Sequence, residues 1–471
     1  MSKENKDNVI ETIPVETVEP VELTEQTEIT ESAKGYSNWV EGLNSSPKGK
    51  PYQTIQNALF ALDNCPELAG IISYNEFTGS VEILGAGWKR YSNRITDADF
   101  DFIYLAMEKG GITSRDKINS AVNIKAMQNA YHPVQILLKS LKWDEEDHLS
   151  ELFPKYLGAE RSEYTTIITQ VLFGGIIGRT FCPGMKFDTA VVLTDTKQGG
   201  GKSTMCRLLA IRDEWYTSLK SVDDQKVTVE TITGHLVVEL EEMEGLVTAK
   251  SIETVRGFLS RPSDTYRTPY ARFSQDILRG SVCIGTSNDP AFLPMDRAGN
   301  RRFLPIKCNK DKAEAHPLDD EEATRKDILQ CYAQAMCLYR NHELPVKLPP
   351  EWEKELPEKQ KDFLPEDLKA VKIEQWILDN SKPEYCVLMI YQEALGNKNG
   401  TPKQWESKEI AVILDNLKNE DGTIMLKRYD GSGGIKRIKD YGRCKAWVKN
   451  GDSFVAIPEA SEHDEQDLPF D

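Results

Sequence analysis

Continuous apolar runs bounded by turn-forming residues mark the centre of the chain. The segments DTAVVLTD, GHLVVELEE and GSVCIGTSND each indicate a strand buried on both faces, which is typical of a parallel sheet covered by helices. YTTIITQVLFGGIIGRTF has the length and spacing of a helix that ends before Pro183, and STMCRLLAI predicts a second helix. The pattern therefore predicts an α/β core over residues 151–345, closed by charged helical sequence at 321–344.

Shorter periodic segments flank this core. Residues 35–150 alternate short strands with amphipathic helices and predict an N-terminal α+β module that carries no chemical motif. The Pro- and Lys-rich stretch at 346–369 predicts a linker. Residues 370–457 combine helices with a glycine-containing hairpin, IMLKRYDGSGGIKRIKDYGRCKAWV, and this order predicts a small winged-helix-like module.

The charge of the chain is unevenly distributed. The 471 residues carry a formal net charge of −17, which by itself disfavours a nucleic-acid partner because phosphates are bound by Lys and Arg. Residues 1–34 hold nine acidic and three basic side chains, and residues 458–471 hold six acidic and no basic ones. The first segment is predicted to be disordered and the second to be an acidic tail. The middle of the chain is thus close to neutral, and its basic residues are clustered.

Other compositional features exclude several classes of protein. Nine cysteines without a C-x-x-C pair and six scattered histidines indicate neither a disulfide framework nor a zinc site. Nothing near the N-terminus resembles a signal peptide, and no apolar run of about 18 residues that could span a bilayer is found. We expect a soluble cytoplasmic protein that does not contact a membrane.

A glycine-rich turn follows the first buried strand. TKQGGGKS, at Thr196–Ser203, fits the phosphate-loop pattern G-x-x-x-x-G-K-[ST] except that Thr196 replaces the first glycine. In such a loop, backbone N–H groups surround the phosphates, the lysine reaches the β- and γ-phosphates, and the hydroxyl ligates Mg²⁺. We predict ATP and Mg²⁺ as cofactors; the alternatives are weakened binding because of Thr196 or an ordinary glycine-rich turn. The residues predicted to bind the nucleotide are Lys197, Gln198, Gly199, Gly200, Gly201, Lys202, Ser203 and Thr204.

Polar residues end the two later strands. In LVVELEEMEG, Glu239 and Glu242 are predicted to hold Mg²⁺ with Ser203 and to polarise the attacking water, with Glu241 as a less favoured choice. The alternative is a solvated start of a helix. Asn288 ends VCIGTSN and is predicted to orient the γ-phosphate or the water, whereas the alternative is a turn asparagine.

Two arginines precede the next apolar segment. In DRAGNRRF, Arg301 and Arg302 are candidates for an arginine finger that reaches the nucleotide of a neighbouring subunit. A surface salt bridge is the alternative interpretation.

A second basic cluster lies near the end of the chain. Between Lys427 and Lys449 there are eight Lys or Arg and two Asp, interleaved with Tyr429, Tyr441 and Trp447. Basic side chains bind phosphates, and the aromatic rings either stack on bases or pack beneath the hairpin. A solvated edge hairpin protected by charge is the alternative. The residues predicted to contact DNA are Lys427, Arg428, Lys436, Arg437, Lys439, Arg443 and Lys445.

Four segments in a fixed order carry a family resemblance. They are DTAVVLTDTKQGGGKST, HLVVELEEMEGL, ETVRGFLSRPSDTYRTPYAR and IGTSNDPAFLPMDRAGNRRFLPI, and they resemble the virulence-associated protein E family of phages and pathogenicity islands. The resemblance covers about residues 130–310, and more loosely 50–450. That family is similar to superfamily 3 helicases, so the resemblance implies an AAA+-like P-loop ATPase core in a homo-oligomeric ring that unwinds DNA at origins or forks.

The resemblance also implies roles for particular residues. It assigns Lys202 and Ser203 to the phosphates and Mg²⁺, Glu239 and Glu242 to the acidic motif, Asn288 to the sensor, and Arg302, with Arg301 as second choice, to the finger. SRPSDTYRTPYARFSQDILRG stands where such helicases have a DNA-contacting β-hairpin. Candidates for contact with a DNA strand or a neighbouring subunit are therefore Arg261, Arg267, Arg272 and Arg279. Many relatives carry a primase domain that is not apparent here, so a separate primase is an expected partner.

The sequence as a whole predicts an ATP-dependent DNA helicase or translocase that serves replication of a phage or pathogenicity-island-type mobile element. Its expected DNA is single-stranded, forked, or duplex at an origin. One alternative is an ATP-gated DNA-binding initiator or regulator that separates no strands, and another is a small-molecule phosphotransferase. The terminal SEHDEQDLPFD resembles the acidic tip with which bacterial single-strand-binding proteins dock on replication partners, so single-strand-binding or host replication proteins are further candidate partners; the alternative is a plain acidic tail.

Overall fold

The structure, a computed structural model, describes residues 39–247, 251–266, 274–295, 300–419 and 422–450. Both acidic tails, residues 1–34 and 458–471, lie outside the described residues. The chain divides into two compact units, Met1–Pro365 and Glu366–Asp471. Across the described ranges, no helix has the length and apolar character needed to cross a membrane.

The first unit begins with a small α+β module built on its own apolar core, in which Leu62, Ile72, Ile103 and Val122 are buried. The elements are a 3₁₀ turn (Trp39–Gly42), α1 (Ile55–Asn64), β1 (Ile72–Asn75), β2 (Ser80–Ile83), α2 (Asp97–Glu108), α3 (Arg115–Gln128) and β3 (Ala130–Tyr131). Strand β1 pairs antiparallel with β2 and parallel with β3.

A five-stranded parallel sheet forms the rest of the first unit. Its strands are β4 (Ala190–Thr194), β5 (Tyr216–Leu219), β6 (Val237–Leu240), β9 (Val282–Ser287) and β10 (Phe303–Lys307). The strand order is β10-β4-β9-β6-β5, and every neighbouring pair is parallel. The helices of this region are α4 (Pro133–Ser140), α5 (Leu152–Leu157), α6 (Glu163–Phe181), α7 (Lys202–Leu209), α8 (Gln225–Ile232), α9 (Met243–Leu246), α10 (Ile252–Ser260) and α11 (Glu321–Arg340), with a 3₁₀ turn at Asp213–Trp215 and another at Asn300–Arg302.

The apolar runs predicted the central strands correctly. Strands β4, β6 and β9 are buried at every position because helices cover both faces of the sheet. The α/β fold class is thereby confirmed at the level of a parallel sheet with covering helices. The edge strands β5 and β10 were not predicted, since YTSL is only half-buried and FLPIK contains a proline, which an edge strand tolerates.

A two-stranded antiparallel hairpin is inserted between β6 and β9. It consists of β7 (Ser263–Tyr266) and β8 (Gln275–Leu278), in the segment where the family resemblance places a hairpin. The residues that connect the two strands, 267–273, lie outside the described residues, and with them the candidate DNA contacts Arg267 and Arg272.

The predicted linker at 346–369 is wrong for most of its length. Helix α12 (Pro350–Lys359) and a 3₁₀ turn (Lys361–Phe363) occupy it, with Leu356 and Phe363 buried in the two cores that flank the sheet. Helix α12 was not predicted because it buries only Leu356 and its surface is rich in Lys and Glu. This segment also carries Gln360, a buried side chain that donates to two backbone carbonyls of the preceding strand region.

The second unit has the element order helix, strand, two helices, and then three strands. They are α13 (Leu368–Asp379), β11 (Glu384–Cys386), α14 (Val387–Met389), which continues into a π-helical turn (Ile390–Ala394), α15 (Gln404–Asn416), β12 (Leu426–Arg428), β13 (Ile435–Ile438) and β14 (Gly442–Lys449). Strand β14 pairs antiparallel with β11, β12 and β13. Trp447 lies at the centre of this core and donates its indole N–H to Asp415 (2.7 Å).

Candidate functional site

A polar cleft opens at the carboxyl ends of the three central strands, where open parallel sheets bind their ligands. The chain leaves β4 toward Lys202, Asn288 directly follows β9, and Glu239 is the third residue of β6. Because β9 lies between β4 and β6, the three side chains meet at one edge of the sheet. The cleft has a volume of about 160 Å³. It is lined by Lys202, Ser203, Glu239, Glu241, Glu242, Thr286, Ser287 and Asn288.

The glycine-rich turn does not require a glycine at position 196. Its left-handed residues are Gly199 (φ 72°) and Gly201 (φ 83°), whereas Thr196 is not among the residues with positive φ. A β-carbon at Gly201 would lie 2.7 Å from the Pro317 ring, so both conformation and space demand glycine there. The threonine in the first position of the pattern is therefore compatible with the observed turn.

The bend at the end of β4 is stabilised instead by a buried carboxylate that the sequence analysis did not single out. Asp195 accepts hydrogen bonds from the backbone N–H groups of Lys197 (2.9 Å) and Lys310 (3.0 Å). The Lys310 ammonium in turn donates to the carbonyl of Gln198 (3.1 Å). Together these contacts, which we call the Asp195–Lys310 clasp, join the turn to the segment after β10. An aspartate that bonds the N–H two residues on is a recognisable turn signal in sequence, but its bond to Lys310 is not.

Lys202 begins α7 and is 8% exposed. Its ammonium donates to the Asp195 carbonyl (3.2 Å) and to the Asn288 side-chain oxygen (3.1 Å), so it lies between the glycine-rich turn and Asn288. Unpaired N–H groups at a helix start and a lysine beside them favour an anion. The Lys202 ammonium, the Ser203 hydroxyl and the backbone N–H groups of the preceding glycines could therefore hold phosphate oxygens.

Glu239 is completely buried yet surrounded by hydroxyl groups. Ser203 (2.7 Å) and Thr286 (2.6 Å) donate to one carboxylate oxygen, and Tyr216 donates to the other. Burial, and then the hydrogen bond to Glu239, raise the pKa of Tyr216 far above its usual value, so the phenol stays protonated and remains a donor. A carboxylate and two hydroxyl oxygens are hard ligands of the kind that Mg²⁺ prefers, so this donor set fits the ion. Thr286 and Tyr216 were missed because nothing in their local sequence marks them.

The other carboxylates of the acidic motif differ in exposure. Glu242 is exposed, lines the cleft and has a left-handed backbone (φ 52°), which is strained for a residue other than glycine. Glu241 forms an ion pair with Lys220 (3.5 Å). Glu244, which the sequence analysis did not consider, accepts from the Ser287 hydroxyl (2.7 Å). Glu241 and Glu242 both line the cleft, and of these two Glu242 is the exposed one.

Arg301 and Arg302 lie at the opposite end of the sheet. They precede β10, whose first residue pairs with Ala190 and whose last pairs with Thr194, so the length of a strand, about 13 Å, separates them from the cleft. Gln360 holds their turn by donating to the carbonyls of Asn300 (2.8 Å) and Phe303 (2.7 Å). Neither arginine lines the cleft of its own chain.

The two arginines are not equivalent. Arg302 donates to the Ser260 hydroxyl (3.1 Å) and lies 3.7 Å from Asp188, whereas the Arg301 side chain is exposed. The structure thus favours Arg301 as the residue available to another molecule, which reverses the order of preference drawn from the sequence.

One predicted DNA contact in the inserted hairpin is wrong. Arg279 is 5% exposed, binds Asp264 through two nitrogens (2.6 and 3.1 Å) and covers the Phe258 ring, so its guanidinium anchors the base of the hairpin and is not available to a strand. Arg261 is 41% exposed and lies 3.5 Å from the same aspartate, so its head remains accessible.

The basic cluster of the second unit forms an exposed face on the β13–β14 hairpin. Arg437 pairs directly with Arg443, and Ile435 pairs with Lys445, so the four side chains share one face of the hairpin and all are exposed. Like charges directly opposite each other destabilise a strand pair, which makes this face suited to an anionic partner. Lys427 and Lys439 are also exposed.

The remaining members of the cluster are engaged within the unit. Arg428 pairs with Asp415, and Lys436 lies 2.9 Å from Glu384. Trp447 is 1% exposed, and Tyr429 and Tyr441 are partly buried against the same core, which favours packing beneath the hairpin over stacking on bases.

Comparisons with known proteins agree with the predicted family. Residues 138–365 match the model of the virulence-associated protein E-like domain, which confirms that resemblance for this range. The comparison with curated proteins yields no match.

Solved structures give a weaker likeness. The chain resembles an A-form apo structure of the NrS-1 C-terminal region with a TM-score of 0.44 and 12% identity, covering 80% of this chain and 96% of that one. A second A-form apo structure, of NrS-1 residues 305–718, gives 0.43 and 13%, and another apo structure of the same region gives 0.40 and 14%, both with the same coverage.

Proposed function

We propose that this chain is an ATP-dependent DNA helicase or translocase that serves replication of a phage or pathogenicity-island-type mobile element. The observation that carries the proposal is the cleft shared by Lys202, at the start of α7, and Glu239, in β6, with Ser203 bonded to Glu239 (2.7 Å). A glycine-rich turn, a lysine, a hydroxyl and a buried carboxylate in one cleft are the parts that nucleoside-triphosphate hydrolysis requires. The match of residues 138–365 to the virulence-associated protein E-like domain supports the biological setting.

In this proposal each residue of the cleft has its own role in the chemistry. The turn amides and Lys202 bind the triphosphate, and Asn288, which already accepts from Lys202, orients the terminal phosphate or the water. Ser203 and Glu239 would hold Mg²⁺, which neutralises phosphate charge when bound. Glu242, whose exposed carboxylate lines the cleft, accepts the proton of the attacking water. Arg301 of a neighbouring subunit stabilises the charge of the transition state.

DNA contact is assigned to two places. The exposed basic face of β13–β14 follows a helix, a strand and two helices, an order that supports a winged-helix-like module with the hairpin as its wing. Arg261, at the base of the inserted hairpin, is the accessible candidate in the first unit. Homo-oligomeric assembly, a separate primase and other replication partners remain part of the proposal.

A forked-DNA unwinding assay tests this function. We expect the wild type to separate a labelled fork in the presence of ATP and Mg²⁺, with ATPase activity that DNA stimulates, because hydrolysis is coupled to movement along a strand. If DNA stimulates hydrolysis but no strands separate, the chain acts instead as an ATP-gated DNA-binding initiator or regulator. If no ATP is hydrolysed with or without DNA, the whole proposal fails.

The Asp195–Lys310 clasp leads to a second prediction. Asp195→Ala removes the acceptor of two backbone N–H groups that shape the turn, so we expect KM for ATP to rise by about 10- to 100-fold, as for loss of hydrogen bonds to a charged group. The matched control is Asp311→Ala, which removes the exposed ion pair with Lys197 and should change KM by less than about twofold. Steady-state ATPase kinetics measure both. Equal KM values for the two variants would show that the clasp does not shape the site.

A further inference from the structure

The second unit has an apolar groove to which the proposed function assigns no role. It lies between α13, the π-helical turn and α15 and has a volume of about 440 Å³, within the range of sites that hold small ligands or peptide side chains. Two of its apolar side chains are unusually exposed, Leu368 at 65% and Val371 at 48%. Its apolar lining includes Leu368, Val371, Leu395 and Ile410.

The groove also carries positive charge. Lys369 and Lys372 line it; Lys369 lies over the exposed ring of Trp405 and is paired with Glu409 (2.7 Å), so Lys372 supplies the available charge. Lys372 is exposed to solvent. The one carboxylate in the lining, Glu406, already accepts from the Lys403 N–H at the start of α15 (2.7 Å). A partner that is apolar at one point and acidic around it therefore fits this groove.

The last residues of the same chain have that chemistry. Residues 459–471, EASEHDEQDLPFD, contain six acidic side chains and no Lys or Arg, and their large apolar residues are confined to Leu468-Pro469-Phe470. Leu468 is 18 residues beyond Asn450, the last described residue. An extended chain of that length spans about 60 Å, whereas a unit of this size has a radius of gyration of about 12 Å. Every point on the surface of the unit is within reach.

We infer that Leu468-Pro469-Phe470 docks in the groove of its own chain and that the acidic residues around it pair with the exposed Lys372. A tethered segment has an effective concentration in the millimolar range, so modest affinity is enough to keep the groove occupied. The docked segment carries its negative charge on the unit that also bears the basic face of β13–β14. It therefore competes with DNA for that unit and lowers its affinity. The docking is independent of the proposed function, but the consequence for DNA rests on it.

The test uses the full-length chain with its own tail disabled, Leu468→Ser together with Phe470→Ser, and a fluorescein-labelled peptide of residues 459–471. Fluorescence anisotropy should show the peptide binding the disabled chain at least about tenfold more tightly than the wild type, whose own tail occupies the groove. Adding Val371→Glu to the disabled chain should weaken binding of the peptide by about tenfold or more. Val412→Glu, on α15 but outside the groove and 54% exposed, is the matched control and should leave binding within about twofold.

Equal binding to wild-type and disabled chains, or equal losses in Val371→Glu and Val412→Glu, would overturn the assignment. A DNA arm separates this inference from the proposed function. The disabled chain should bind a labelled duplex about fivefold or more tightly than the wild type at low salt, because its acidic tail is no longer held on the unit. If the peptide docks as expected and neither chain binds DNA, the docking stands and the DNA role of the unit fails. If both chains bind DNA equally, the competition is overturned.

Discussion

Lys202→Ala is expected to lower ATP hydrolysis by about 100- to 1,000-fold, the usual loss when one preorganised donor to a transferring group is removed. The ammonium of Lys202 is held by the Asp195 carbonyl and by Asn288, which directly follows β9, so it already points into the cleft. Its removal also leaves Asn288 without this donor. Steady-state ATPase assays with and without DNA measure the loss, and strand separation should disappear with it.

The fold of the variant can be checked independently of its activity. Lys202 is part of the cleft lining and not of the apolar cores, so its truncation should leave the thermal unfolding midpoint nearly unchanged. Lys202→Arg, which keeps the charge but not the geometry of a compact ammonium, should recover only a small part of the activity. Wild-type turnover by a stably folded Lys202→Ala variant would contradict the role of the cleft.

Arg301→Ala is expected to reduce turnover by about 1,000-fold or more, the range for an arginine finger. Arg301 is exposed and lies at the end of the sheet opposite the cleft, so it can act only on the nucleotide of another subunit. Binding of ATP itself should be preserved because every residue that lines the cleft is intact. The matched control is Arg302→Ala, which loses contacts to Ser260 and Asp188 within the chain and should mainly lower stability.

Mixing two inactive variants distinguishes action between subunits from action within one. A site that combines the cleft of an Arg301→Ala subunit with the arginine of a Lys202→Ala subunit is complete, so random mixing in a closed ring should restore about a quarter of the sites. ATPase activity of the mixture, measured against each variant alone at the same total concentration, reports this. If the mixture is as inactive as its components, Arg301 does not act in trans. Such an outcome would leave the role of Lys202 intact.

The acidic motif and the glycine-rich turn show which residues of the site can be predicted from local sequence. Lys202, Ser203, Glu239 and Asn288 each follow or occupy an apolar strand, and the parallel arrangement of those strands brings them to one edge. Tyr216 and Thr286 could not be predicted, because their bonds to Glu239 come from positions 23 and 47 residues away in the chain. The same holds for Gln360, which reaches back about 60 residues to hold the arginine-bearing turn.

The sequence alone determined the class of the core, the order of its motifs and the family that residues 138–365 match, because these depend on apolar periodicity and on residues close together in the chain. The tertiary structure decided which side chains are free to act. Arg279 is paired with Asp264, and Arg301 is exposed. Asp195 and Lys310 stabilise the turn in which Thr196 replaces the first glycine of the pattern. Such outcomes depend on which distant groups share a buried site, since burial and pairing, and not residue type, set the availability of a charge.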